Sequence, residues 1–406
     1  MSACVVARLP HMRLCLRSGQ QWRILVSRHI ITLIVAIAHN APLRAQPAQS
    51  PATTRDTVDR LVSAEMARMH IPGVSLAVVR GGKVVKVQGY GVADLEQQIP
   101  VTPQTVFKIG SVSKQFLATG IMLLAQDGRL TVDDPVSKYF PGAPESWRGI
   151  TLRHFLTHTS GVLREGPAFD ALKVQPDSIV IRSAFARPLE FPTGSKYQYC
   201  NVCYFTLADV IARVSGKPWD VFLAERVFRP MGMAATRTTT LTELVPHRAR
   251  GYTWRDTGYI NAPELLALRP SGAFLSSVLD LAKWDAALYE DRVLTKASRD
   301  AMWTPVRLTG GASYGYGFGW TLDSLDGHWR VSHGGSLPGF RAEMARFPKD
   351  SLSVIVLTNA DGARPDEIAE RVARIYLSTM ARPSEIDLAL SQDRSAEVRR
   401  AVRKKN

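Results

Sequence analysis

Phe107-Lys108-Ile109-Gly110-Ser111-Val112-Ser113-Lys114-Gln115-Phe116 is the stretch on which the fold turns. Apolar residues continue from it at Leu117, Ile121, Leu123 and Leu124 to a stop at Asp127-Gly128, which predicts a helix over 111–126. The helix is strongly apolar and so reads as buried; a lysine in its first turn is costly there unless it has a role. Ser111 and Lys114 stand three residues apart and share one helix face. A serine hydroxyl needs an adjacent base before it can attack a carbonyl, and a lysine can serve where burial or nearby positive charge lowers its pKa. The start of the helix also offers unsatisfied backbone N–H groups, and that of Ser111 is a candidate for half of an oxyanion hole. Ser-x-x-Lys alone also arises by chance on solvated helices, so its weight here comes from the apolar frame.

Upstream, Val58, Leu61, Val62, Met66 and Met69 recur at helical spacing until His70-Ile71-Pro72-Gly73 ends the pattern. Residues 74–79 and 84–88 are β-rich runs around Arg80-Gly81-Gly82-Lys83, a tight-hairpin signal. From 111 to 308 the pattern is mostly helix and loop, with further helices over 205–214 and 280–289. Strands return over 329–332, 341–347 and 351–359, and an amphipathic helix over 367–380 follows. Strands at both ends of a helical middle predict an α/β sheet domain (56–110 with 309–382) into which a mainly helical domain (111–308) is inserted.

The first 45 residues hold Arg8, Arg13, Arg17, Arg23, Arg28 and Arg44, no acidic residue, and a short apolar stretch over 30–38. With Ala45 before Gln46 this is the layout of a secretory signal peptide; the stretch is well below the ~20 residues that span a bilayer, so no transmembrane anchor is expected after cleavage. Met1 and Met12 are both compatible starts. Residues 46–55, rich in Pro, Ala, Thr and Gln, read as a linker, and 383–406 as a basic, solvated tail. Removing the six leader arginines lowers the formal net charge from +15 to about +9, of which residues 391–406 at the end of the tail carry about +4. The body is only mildly basic. Without a basic stripe interleaved with stacking aromatics, nothing points to nucleic acid. A chain that is 45% hydrophobic and 21% charged is ordinary for a globular protein and too apolar for general disorder.

Outside the leader the cysteines are Cys200 and Cys203, a C-x-x-C pair that an oxidising compartment allows to join and that cannot by itself complete a zinc site. Disulfide and free thiols both stay open. His154 and His158 have the spacing of a zinc-protease helix, but Phe155 stands where its general base belongs, so no metal or other cofactor is expected. Gly311-Ala312-Ser313-Tyr314-Gly315 matches the G-x-S-x-G elbow, yet Tyr314, Tyr316, Phe318 and Trp320 alternate with glycines and read as a strand, not as strand-turn-helix.

Four segments in order, Ser111-Val112-Ser113-Lys114, Leu156-Thr157-His158-Thr159-Ser160-Gly161, Tyr199-Cys200-Asn201 and His333-Gly334-Gly335, make the chain resemble the serine β-lactamase-related superfamily. The branch in question holds class C β-lactamases, D-alanyl-D-alanine carboxypeptidases, D-aminopeptidases and related esterases. The resemblance implies a β-lactamase/transpeptidase-like fold, an antiparallel sheet flanked by the N- and C-terminal helices, with the active site in the seam between sheet and helical insertion. It implies that Ser111 is acylated, that Lys114 helps to take its proton, and that Tyr199 is general base or relay. It further implies that Asn201 binds the substrate's amide or carbonyl, that 333–335 form the inner strand along which substrate lies, and that a backbone amide near Ser336 completes the oxyanion hole. His158 would support the site without reacting, and Cys200 and Cys203 flank it.

His333 stands where many relatives carry a carboxylate-binding lysine, and an imidazole of ordinary pKa near ~6.5 is mostly neutral at pH 7. Short acyl esters and D-amino-acid or peptidoglycan-type peptides therefore rank ahead of β-lactams as substrates of a periplasmic or secreted hydrolase. The competing expectation is a penicillin-binding receptor or sensor that is acylated and turns over poorly.

Overall fold

The computed structural model describes residues 51–238, 243–265, 270–272 and 274–378; the leader, the first half of the linker and the basic tail lie outside them. The body is one seven-stranded sheet with helices on both faces. Helix α1 (Pro51–Met69) leads into strands β1 (Gly73–Arg80), β2 (Lys83–Asp94) and β3 (Ile99–Pro100). After the middle section come β4 (Thr321–Leu325), β5 (His328–Leu337), β6 (Phe340–Phe347) and β7 (Leu352–Thr358), then the closing helix. The order across the sheet is β4-β5-β6-β7-β1-β2-β3, and all pairings are antiparallel. The two ends of the chain meet where β1 pairs with β7, Val74 opposite Thr358 through Arg80 opposite Leu352. Both strands are apolar and buried almost throughout, as expected of strands covered on two faces. Gly81 and Gly82, at φ +55° and +73°, make the two-residue turn into β2 that the sequence signals.

One face of the sheet is covered by α1 and by α5 (Pro365–Ser378), through Val58, Val62, Leu76, Val78, Val356, Ile368 and Val372. The opposite face packs on the middle section. Helix α2 (Lys114–Gln126) runs through the centre of that section, and α3 (Asn201–Ser215) lies against it so closely that a Cβ on Gly120 would stand 2.7 Å from Ile211 Cδ1. Helix α4 (Val278–Ala287) comes from the middle section yet rests on the sheet itself, against β1, β2 and β7. Its Asp285 forms a fully buried ion pair with Arg346 of β6 (2.9 Å) and accepts from Ser353 Oγ of β7 (2.5 Å).

Three local expectations need correction. Residues 51–55 of the expected linker are the first turns of α1, so that helix begins before the apolar pattern does. The predicted 111–126 helix opens as a 3-10 turn, Gly110–Ser113, before α2 proper. The alternating aromatics of 314–320 are not one strand: Ser313–Tyr314 pairs briefly with Val306–Arg307, after which the chain turns, with Gly319 at φ +75°. Tyr316, Phe318 and Trp320 are all buried there, so period-two spacing reflects three inward aromatics on a winding loop.

Candidate active site

The reactive corner forms where two backbones touch. Gly110 has φ +52°, and a Cβ on it would lie 2.6 Å from the amide nitrogen of Ser336. A Cβ on Gly335 would lie 1.9 Å from the carbonyl oxygen of Ile109 and 3.2 Å from the amide nitrogen of Ser111. Glycine is required at both places for the 3-10 turn and β5 to approach this closely. Strand β4 pairs with 328–332 alone, so among the described residues the edge of β5 from 333 to 337 has no strand beside it. Leu337 and Phe340 flank the two-residue turn Pro338-Gly339 and form its hydrogen-bonded pair; parity along the ladder then directs the amide of Ser336 to the open edge. The amide nitrogens of Ser111 and Ser336 thus flank one point, the contact between Gly110 and Gly335.

Lys114 is completely buried beneath that point. Its Nζ donates to Ser111 Oγ (3.1 Å), Asn201 Oδ1 (2.9 Å) and the carbonyl of Ser271 (2.8 Å). Asn201 turns its amide nitrogen to Glu165 Oε1 (2.5 Å), which leaves one of its two amide protons for another acceptor. Nothing in the sequence connects Glu165 or Ser271 to this centre; a loop carboxylate and a backbone carbonyl carry no motif. The ring of Tyr199 lies in the cleft wall with Ser111, flanked by Lys114 Nζ at 4.7 Å and the Arg164 guanidinium at 5.1 Å from its centroid.

His158 fixes that tyrosine from behind. In the left-handed region at φ +58°, it accepts the Gln198 amide on its carbonyl (2.8 Å) and the Cys200 amide on Nδ1 (3.0 Å), one on either side of Tyr199. The two rings lie 4.3 Å apart. Cys200 caps α3, accepting from the Cys203 amide (3.1 Å), and its sulfur is joined to that of Cys203 in a disulfide across the first turn.

His158 also starts a directed chain of hydrogen bonds. Because its Nδ1 accepts, its Nε2 carries the proton and donates to the Tyr316 hydroxyl (3.2 Å). Tyr316 donates in turn to His333 Nε2 (2.9 Å), and His333 Nδ1 donates to the carbonyl of Gly334 (2.7 Å). Both imidazoles are neutral in this pattern. Burial, then the Lys114 ammonium, push His333 down to about 3 and hold His158 well below the ordinary histidine range. His333 lies in the cleft wall, as the motif places it, but both its nitrogens are used inward: it offers substrate neither a charge nor a free donor. Tyr316 is the member that sequence reasoning passed over, since it sits within the alternation read as a strand.

Ser111, Tyr199 and the strand 333–336 thus line one cleft of about 470 Å³, with Lys114 and Asn201 hydrogen-bonded in sequence to Ser111 and with His158, Cys200 and Cys203 behind Tyr199. Among the described residues no group of three His, Cys, Asp or Glu side chains is placed to hold a metal ion. A seven-stranded antiparallel sheet with a helical insertion and a buried Ser-x-x-Lys corner defines a serine hydrolase of the β-lactamase and transpeptidase fold. The chain belongs to the Beta-lactamase family, whose model matches residues 58–377. It is 30% identical over 310 residues to penicillin-binding protein 4* of Bacillus subtilis (strain 168), covering 71% of this chain and 68% of that protein. The structure of the octameric penicillin-binding protein homologue from Pyrococcus abyssi superposes with a TM-score of 0.72 at 28% identity, covering 80% of this chain and 77% of that one. The D-amino acid amidase of Ochrobactrum anthropi SV3 shares the fold, with a TM-score of 0.71 at 24% identity over 80% of this chain and 99% of that one.

Proposed function

We propose that the protein is an exported serine hydrolase, periplasmic or secreted, that forms an acyl-enzyme on Ser111 with short acyl esters or D-amino-acid and peptidoglycan-type peptides. The observation that carries this reading is Lys114 Nζ, fully buried and 3.1 Å from Ser111 Oγ, beside two convergent backbone amides. In the forward step the Ser111 hydroxyl passes its proton to the Tyr199 oxygen, a phenolate stabilised by the neighbouring Lys114 ammonium, as Oγ bonds to the substrate carbonyl carbon and the carbonyl π pair moves onto its oxygen. The amides of Ser111 and Ser336 receive the oxyanion, an interaction worth roughly 3 to 4 kcal/mol per donor in acyl transfer. Tyr199 returns the proton to the leaving oxygen or nitrogen, and water then repeats the attack on the acyl group. Ester or D-peptide substrates stand ahead of β-lactams because the position expected to bind a carboxylate holds a neutral, inward-bonded imidazole.

Incubation with a p-nitrophenyl ester and with a fluorescent penicillin tests the reading. Ester turnover abolished by Ser111→Ala is expected; turnover at the wild-type rate in that variant would sink it. Lasting penicillin label without turnover would make the protein an acylated receptor instead. Lys114→Ala is expected to lower kcat/KM at least ~100-fold, the low end for an acid/base group.

A further inference from the structure

The cleft does not stop at the reactive corner. It continues over Gly334 to the outer face of the sheet, where Glu343 of β6 stands opposite Gly334 in the ladder and lines the same space. Glu343 is more than nine-tenths buried, at 7% exposure. Its Oε2 lies 3.0 Å from where a Cβ on Gly334 would be, so the missing side chain opens the way to the carboxyl. Among the described residues Glu343 has no hydrogen-bond or ion-pair partner.

The cations around it are all engaged. Arg330 holds Asp323 at 2.7 Å through two nitrogens and Glu370 at 2.7 Å. Arg364 pairs with Asp366 (3.2 Å) and Glu367 (3.3 Å). Arg341 donates to the carbonyls of Leu337 and Phe340. None of these cations answers the Glu343 carboxyl. Burial first, then Asp366, Asp323 and Glu370 against the opposing Arg330, hold the Glu343 carboxyl up at about 8, as expected of a group lacking its counter-charge.

Direction along the strand says which part of a substrate arrives there. The reacting carbonyl sits at Ser336, and Gly334 lies two residues back, roughly 7 Å along an extended strand. That is the side of His333 and of Tyr199, whose rings are 6.3 Å apart, and from it the departing group receives its proton. We propose that the cleft includes a leaving-group subsite over Gly334 in which Glu343 receives a primary ammonium carried by the substrate about 7 Å from the scissile carbonyl. The assignment of this arm to the leaving group rests on the serine hydrolase reading; recognition of the amine does not.

Two phenols of the same shape test it without chemistry: 4-(aminomethyl)phenol and 4-ethylphenol, titrated calorimetrically into the full chain at about pH 8. The amine is expected to bind at least ~10-fold more tightly, in the range of a charge-assisted hydrogen bond. Glu343→Gln is expected to abolish the preference, and so is Gly334→Ala, which closes the opening from the other strand. Equal binding of the two phenols to the wild type, or a preference that survives Glu343→Gln, overturns the subsite. The acetate esters of both phenols keep the two readings apart: Ser111-dependent turnover without discrimination removes the subsite alone, whereas amine preference in binding without turnover removes the hydrolase alone.

Discussion

Tyr316 shows how much of the site depends on a residue that touches none of the reacting atoms. Its hydroxyl is at once acceptor for His158 and donor to His333, and all three side chains are buried. Tyr316→Phe keeps the ring and strands two imidazole nitrogens without water. The expected loss is about 1–3 kcal/mol of folding stability, the usual result of leaving a buried polar group unpaired. Urea unfolding of the two proteins would measure it, and unchanged midpoints would mean that the chain of bonds is not holding these rings. Ser111 and Lys114 were legible because their spacing is local, three positions on one helix face, whereas Tyr199 and Asn201 became legible only through the ordered segments that carry the family resemblance. Tyr316, Glu165 and Ser271 were not legible, since each reaches the centre from a separate loop by three-dimensional convergence. The neutrality of His333 was expected from its ordinary pKa; that both nitrogens face inward could be read only from their partners.

At the scale of elements, the decisive contact is the 3-10 turn Gly110–Ser113 against β5. Hairpin glycines, helix stops and apolar runs announce most strands and helices, because they are local consequences of backbone freedom and burial. The contact between these two elements is not local. It rests on the absence of a Cβ at Gly335, where any side chain would strike the Ile109 carbonyl at 1.9 Å. Gly335→Ala is therefore expected to push β5 away from Ser111, and with it the Ser336 amide. A displacement on the order of 1 Å in such a site costs about 100-fold in rate. Gly149→Ala is the matching control, since a Cβ there meets nothing within 4 Å. Ester kinetics on both variants would decide the matter: equal, near-normal rates would show that the close approach is not what aims the oxyanion hole.

The whole molecule carries buried titratable groups of opposite kind on the two faces of one strand pair, and this sets how its stability responds to pH. His333 is neutral in the fold down to about 3, whereas the unfolded chain takes up that proton near ~6.5. Its contribution is present above ~6.5 and is lost as pH falls toward 3, at a slope of roughly 1.4 kcal/mol per pH unit for one proton. Glu343 does the reverse. Its folded carboxyl keeps its proton up to about 8 while the unfolded one releases it near 4.5, so its contribution is full below 4.5 and is lost as pH rises through 8. Between about 4.5 and 6.5 the two slopes oppose each other. Relative to wild type, His333→Gln is expected to lose its destabilisation progressively as pH falls from about 6.5, and Glu343→Gln to gain stability as pH rises from about 4.5 to 8. Denaturant titrations of the three proteins across that range would read both limbs as differences, in which every other buried acid and base cancels. A Glu343→Gln difference that stays flat with pH would mean that the carboxyl ionises alike in folded and unfolded chains, and that the outer arm of the cleft holds an ordinary solvated acid.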